Sequence, residues 1–171
     1  MCCDDVKKSP FVAAVCGVKN SGKTTLLIRL VKLLSDRGIR TAVIKHDGHD
    51  FECDVPGTDS YRIREAGAYG TAVFSKYRSF VYKENCRETI EEMIDRFPEA
   101  DLILVEGMKD STYPKIEVVR REISDKPVSN PEGRFLIVSD WESGHFRGEQ
   151  SAGLDEAEKI LKILLEKAKI E

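Results

Sequence analysis

The stretch Gly17-Val-Lys-Asn-Ser-Gly-Lys-Thr24 constrains this chain more than any other. It matches the phosphate-binding loop pattern G-x-x-x-x-G-K-[ST] in full. The apolar run 11–15 before it reads as a short buried strand. The pattern over 26–35 after it reads as an amphipathic helix, with Leu26, Leu27, Leu30, Val31, Leu33 and Leu34 at helical spacing. A strand, a glycine loop and a helix turn backbone N–H groups and a helix N-terminus toward a polyphosphate. Gly17 and Gly22 let the backbone approach phosphates with no Cβ in the way. Lys23 reaches the β- and γ-phosphates, and the Thr24 hydroxyl ligates Mg²⁺. The plain alternative is a glycine turn before a helix with a chance Lys-Thr pair. Four specified positions and both flanking elements agree on the phosphate loop.

The rest of the chain extends this unit. Gly38 suits the position just past the helix, and Thr41-Ala-Val-Ile-Lys45 reads as a second strand. A β-α-β unit of this kind implies a parallel sheet. Residues 46–59 are polar, hold Gly48, Pro56 and Gly57, and lack a hydrophobic period; a connection of that length is usually functional. A short helix over 60–66 follows. The runs 71–75 and 79–82, joined at 76–78, predict an antiparallel hairpin inserted into or beside the parallel sheet. The spacing over 87–97 predicts a helix with Ile90, Met93, Ile94 and Phe97 inward, stopped by Pro98. Leu102-Ile-Leu-Val105 suits a central parallel strand, and 116–119 and 135–138 are further strands. The polar segment 121–133, with Pro127, Pro131 and Gly133, reads as a mobile surface loop. A helix over 154–168 closes the chain. The expected fold class is α/β: a P-loop NTPase three-layer sandwich, mostly parallel, with an antiparallel hairpin near 71–82. A length of 171 residues and the lack of repeats or long linkers predict one nucleotide-binding domain over 1–171.

Composition excludes several classes. A net charge of -3 gives no footprint for nucleic acid. No apolar run approaches the ~20 residues of a membrane helix. The acidic start, Met-Cys-Cys-Asp-Asp, is unlike a secretory signal and predicts a cytoplasmic protein. Cys2, Cys3, Cys16, Cys53 and Cys86 are odd in number and form no C-x-x-C pair, which argues against a disulfide framework or structural zinc. Cys16 reads as a packed core thiol. Cys53, among His46, Asp47, His49, Asp50 and Asp54, has metal-binding company, but a solvated Asp-rich loop fits this segment better.

A phosphate loop that handles Mg²⁺ needs an acid at the end of a nearby strand. Glu106 ends the strand Asp101-Leu-Ile-Leu-Val-Glu106 and is that candidate; Asp101 lies at the opposite end. The plain alternative for Glu106 is a strand-end surface carboxylate. The second strand ends in Lys45-His-Asp-Gly-His-Asp50, and ligands gather beyond the carboxyl ends of strands in such sheets. There Asp47 is a candidate to hold Mg²⁺ through water or to orient an attacking water. His46 is a candidate to act near neutral pH or bind an anion. Turn chemistry alone also explains these residues. Arg62, Arg64, Lys109 and Lys115 are cations for the phosphates of a second ligand, or solvated surface charges; Lys109 stands above the others. No N-K-x-D segment is present to read guanine. Asp140, after the strand 135–138, stands where a carboxylate accepts from guanine ring nitrogens, and a simple strand-end Asp reads equally well.

Three segments taken together resemble one family. They are 17–25; 44–50 with Pro56-Gly-Thr-Asp-Ser60 and Arg64-Glu-Ala-Gly67; and 104–110 with Pro114-Lys-Ile-Glu-Val-Val-Arg120. The family is the molybdopterin-guanine dinucleotide biosynthesis protein B family, and the resemblance covers roughly 11–140. It implies a P-loop α/β fold, GTP and Mg²⁺ as ligands, at most slow GTP hydrolysis, and a homodimeric adaptor. It also implies molybdopterin or its guanine dinucleotide as cargo, and a guanylyltransferase partner that attaches GMP to molybdopterin. The family's phosphate-loop residues fall on Gly17, Asn20, Ser21, Gly22, Lys23, Thr24 and Thr25. Its strand-end acid falls on Glu106 and its second-strand segment on His46 and Asp47. Two other classes stay open on residues alone. One is a small-molecule kinase with Asp47 as base and 121–133 as lid. The other is a metallochaperone GTPase, for which three histidines and no C-x-x-C are poor equipment.

Overall fold

The computed structural model describes residues 9–47, 51–84, 87–142 and 144–170. Their elements run β1 (Phe11–Cys16), α1 (Lys23–Asp36), β2 (Thr41–Lys45), α2 (Asp59–Glu65), β3 (Gly70–Phe74), β4 (Ser79–Lys83), α3 (Ile90–Ile94), β5 (Leu102–Glu106), β6 (Lys115–Val119), β7 (Arg134–Ser139), β8 (Ser151–Gly153) and α4 (Ala157–Ala168). The chain divides into two compact units, Met1–His46 with Met93–Glu171, and Asp47–Glu92.

The first unit holds a six-stranded sheet in the order β2-β5-β1-β6-β7-β8. All five strand pairings in it are parallel. Side chains alternate across a strand, so Ala13, Val15, Leu102, Leu104, Ile116, Val118, Leu136 and Val138 share one face. Against that face pack Leu26, Leu30 and Leu34 of α1 and Ile160, Leu161 and Leu164 of α4. Burying each such leucine contributes about 2 kcal/mol, so this stripe, more than helix propensity, holds α1 in place. The alternate residues Ala14, Cys16, Ile103 and Val105 are buried as well. That double burial is why 102–105 reads as a continuous apolar run. The α/β class with a mostly parallel sheet and a separate antiparallel pair is as expected.

The helix ends follow local rules. Past α1, Gly38 takes φ +72°, its N–H donates to Ser35 O at 2.9 Å, and Ile39 N donates to Leu34 O at 3.0 Å. This paired closure needs a residue in the left-handed region, and glycine enters it without strain. At the sheet's other end, Arg40 joins the starts of β2 and β5: its backbone N–H and guanidinium both donate to the Asp101 carboxylate, at 2.9 Å each.

Three expectations are corrected. The helix expected over 87–97 is only α3, Ile90–Ile94. Thr89 and Glu92 form a reciprocal cap, Thr89 N to Glu92 Oε2 at 2.7 Å and Glu92 N to Thr89 Oγ1 at 3.2 Å, which fixes the start after Thr89. Its far side lapses into turns, with Phe97 N donating to Ile94 O at 2.9 Å, and Phe97 is exposed. The closing helix starts at Ala157, because Glu156 turns back to accept from Gly153 N at 2.6 Å. The strand β8 was not expected; three residues are too few to carry a pattern.

In the second unit, β3 and β4 pair antiparallel as a two-stranded sheet of their own. Thr58 caps α2. Arg64 of α2 is buried, makes a two-pronged ion pair with Glu52 at 2.7 and 2.8 Å, and lies over the rings of Tyr61 and Tyr82. Asp54 accepts from Val55 N, Thr58 Oγ1 and Ser60 Oγ. The Asp-rich segment is thus folded onto the start of α2. His49 and Asp50 of the candidate metal cluster lie outside the described residues, and among the described residues no group of three or more metal-ligating side chains forms.

Candidate phosphate-binding site

The loop 17–24 joins β1 to α1 at the carboxyl end of the sheet. Gly17 has φ +137°, and a Cβ there would meet Val118 O at 2.4 Å and Ser21 Oγ at 2.7 Å. Only glycine fits where the loop presses on β6. Gly22 has φ +99° with open space around the position of a Cβ. Its constraint is conformational, and the space leaves room for a ligand. Asn20 takes φ +64°, which asparagine tolerates better than most residues. Gly22 supplies no side-chain cap to α1, and the first turn holds no acidic residue. The N–H groups of Lys23, Thr24 and Thr25 lack helical partners by geometry, and the positive end of the helix has no local counter-charge. Ser21 Oγ is fully buried in the loop without a hydrogen-bond partner. A polyphosphate fits this cradle on all three counts: glycines, free donors and an orphan hydroxyl.

The fold brings the side chains on its rim together. Lys23 Nζ donates to Gly17 O at 3.1 Å and Val18 O at 2.8 Å, which curls it over the loop. Thr24 Oγ1 lies 3.1 Å from both oxygens of Glu106, at the end of β5. The adjacent register positions of β1 and β5, Val15 and Glu106, produce this approach. One hydroxyl and one carboxylate suit Mg²⁺, which usually takes one or two protein ligands with phosphates and waters. His46 stands beside them: its N–H donates to Glu106 O at 3.0 Å, and a Cβ on Gly107 would come within 3.1 Å of His46 O. Asp47 opens the second unit and stays a sequence-based candidate. Lys109 is exposed. Asp140 Oδ1 accepts from Arg121 N at 2.7 Å.

Cys16 closes β1 with its thiol donating to Gly107 O at 3.0 Å. Burial, reinforced by the neighbouring Glu117 carboxylate, pushes the thiol up to about 11. It is an inert, packed group, as expected.

Two of the cations assigned to a second ligand are otherwise engaged. Arg64 is held by Glu52 within the second unit. Lys115 is fully buried, and its ammonium donates to the carbonyls of Ser111 at 2.6 Å, Asn130 at 3.4 Å and Glu132 at 2.5 Å. Burial pulls its pKa below the ordinary lysine range. Two positions on, Glu117 accepts from Val128 N at 2.5 Å, from Ser129 N at 2.9 Å and from Ser129 Oγ, and pairs with Arg134 at 3.4 Å. Arg134 in turn grips Glu149 at 2.5 Å. The segment expected to be a mobile loop is therefore pinned to the sheet through β6. Sequence reasoning missed this network, although the alternation Lys-Ile-Glu in an apolar strand was its signal: charges two apart share one face.

The parallel sheet and the glycine loop facing Glu106 define an α/β protein of the phosphate-loop class. Residues 12–140 match the family described as Molybdopterin guanine dinucleotide synthesis protein B, and the chain belongs to that family. It is 42% identical over 125 residues to the molybdopterin-guanine dinucleotide biosynthesis adapter protein of Escherichia coli (strain K12), spanning 69% of this chain and 70% of that one. It is 35% identical over 128 residues to the protein of that name from Haemophilus influenzae, spanning 73% and 71%. Among solved structures, Bacillus subtilis MobB superposes with a TM-score of 0.70 at 25% identity, covering 95% of this chain and 98% of the other.

Proposed function

We propose that this protein is a GTP-binding adapter in molybdopterin guanine dinucleotide synthesis, with Mg²⁺-dependent GTP binding and at most slow hydrolysis. The approach of Thr24 to Glu106 at the mouth of a phosphate loop, in a chain of this family, carries the reading. Lys23 and the first-turn amides of α1 bind the phosphates. Thr24 and Glu106 hold Mg²⁺, which when bound neutralises charge between the terminal phosphates. His46 lies beside Glu106, on the side where the terminal phosphate ends.

The cargo is molybdopterin or its guanine dinucleotide, and the partner is the pathway's guanylyltransferase. The protein works in the cytoplasm; no described helix is long and apolar enough to cross a membrane. It acts as a homodimer, a reading supported by the exposed Val73, Phe74, Tyr77 and Val81 of the hairpin, an apolar group of the kind that marks interaction surfaces. The adapter role is tested by adding the purified chain to the guanylyltransferase with molybdopterin and Mg²⁺-GTP. The rate of dinucleotide formation rises with the wild-type chain and not with Lys23→Ala; an unchanged rate with the wild-type chain refutes the role.

A further inference from the structure

If the loop holds a nucleotide as proposed above, the site has a direction. Thr24 and Glu106 mark the metal and terminal-phosphate side, toward β5. β6 and β7 lie on the other side of β1. A nucleoside anchored by its phosphates at the end of β1 therefore extends over the carboxyl ends of β6 and β7.

The connections leaving those two ends are clasped together. Asp140 accepts from Arg121 N at 2.7 Å, Trp141 Nε1 donates to Ser124 O at 3.1 Å, and His145 Nε2 lies 3.0 Å from Asp125 O. The indole of Trp141 stacks on the imidazole of His145, with centroids 4.0 Å apart and planes 8° from parallel. The guanidinium of Arg121 also lies over the indole, at 5.1 Å. Arg121 is exposed and Trp141 half-buried.

We infer that Trp141, braced by His145, is the residue on which the base of the bound nucleotide stacks, with the purine replacing the Arg121 guanidinium over the indole. An exposed cation over a ring is held more weakly than a base stacked on an aromatic side chain, so the exchange is favourable. Fixing the indole through Ser124 O and His145 spares the cost of ordering it on binding. Trp141 lies just outside the residues matched to the family.

Trp141 is the chain's only tryptophan, so its emission reports on the site alone. The full chain is titrated in Mg²⁺ with GTP and with inorganic tripolyphosphate, reading emission and binding heat together. GTP quenches the emission; tripolyphosphate binds without quenching. Trp141→Ala loses GTP affinity by about tenfold, as expected for one stacked base, keeps its tripolyphosphate affinity, and Trp141→Phe binds GTP nearly as the wild type does. If tripolyphosphate and GTP bind, but GTP leaves the emission unchanged and Trp141→Ala binds it as well as wild type, the stacking role is overturned while the nucleotide site stands. If neither ligand binds the wild-type chain, both fall.

Discussion

At the scale of single residues, the site rests on a contact between two side chains 82 positions apart. Thr24 and Glu106 meet because one opens α1 and the other ends the neighbouring strand. Glu106→Gln keeps the shape and removes the charge. The expected outcome is a loss of about tenfold in GTP affinity in Mg²⁺, in line with one charge-assisted interaction, and little change when Mg²⁺ is chelated. Calorimetric titration in Mg²⁺ and in EDTA checks this, and an unchanged Mg²⁺ dependence contradicts the role. Gly17, Lys23, Thr24 and Glu106 were all legible in the sequence, because the phosphate loop carries its own spacing and a strand-end acid is recognisable by position. Lys115 was misassigned for the opposite reason: a charge beside a strand end looks the same whether its side chain faces water or three backbone carbonyls.

At the scale of elements, β6 carries more than its length suggests. Glu117 binds two backbone amides, a hydroxyl and a guanidinium, and is 1% exposed. Glu117→Ala leaves Arg134 and the amides of Val128 and Ser129 short of a partner. Removing one member of such a buried pair costs about 3–5 kcal/mol, read as a lower midpoint in urea; a loss under about 1 kcal/mol contradicts the network. The starts of β2 and β5 give a pH dependence. The Arg40 side chain, then its backbone N–H, holds the Asp101 carboxyl below the usual range. A depressed folded value means the link stabilises the fold above the ordinary Asp value of about 3.9 and is lost as pH falls through the lower folded one. The pair is largely exposed and screened, so its contribution is small. Asp101→Asn should melt below the wild type at pH 6, with the gap closing as pH falls below the ordinary Asp range; a gap independent of pH contradicts the linkage. The main elements were legible because they are long or strongly periodic. The start of α3 was not, since the Thr89-Glu92 cap overrides the helical spacing before it. The pinned segment 121–133 was not either, since its anchors lie on a strand rather than within it.

At the scale of the whole molecule, the sheet sets one axis for the site. The strand order places Glu106 and His46 on the β5 and β2 side of β1, and Asp140 and Trp141 after β7 on its other side. The polar 47–58 segment and the hairpin belong to a unit of their own, where Arg64 ties loop and helix to the ring of Tyr82. Binding of GTP through Mg²⁺ by the first unit is the proposal on which the rest depends. It is tested most directly by displacing a fluorescent GTP derivative from the purified full chain with GTP and with ATP, in Mg²⁺ and in EDTA. GTP is expected to displace the derivative at lower concentration than ATP does, with binding lost in EDTA or in Lys23→Ala. Failure of the wild-type chain to bind the derivative in Mg²⁺, or equal displacement by ATP, would contradict it.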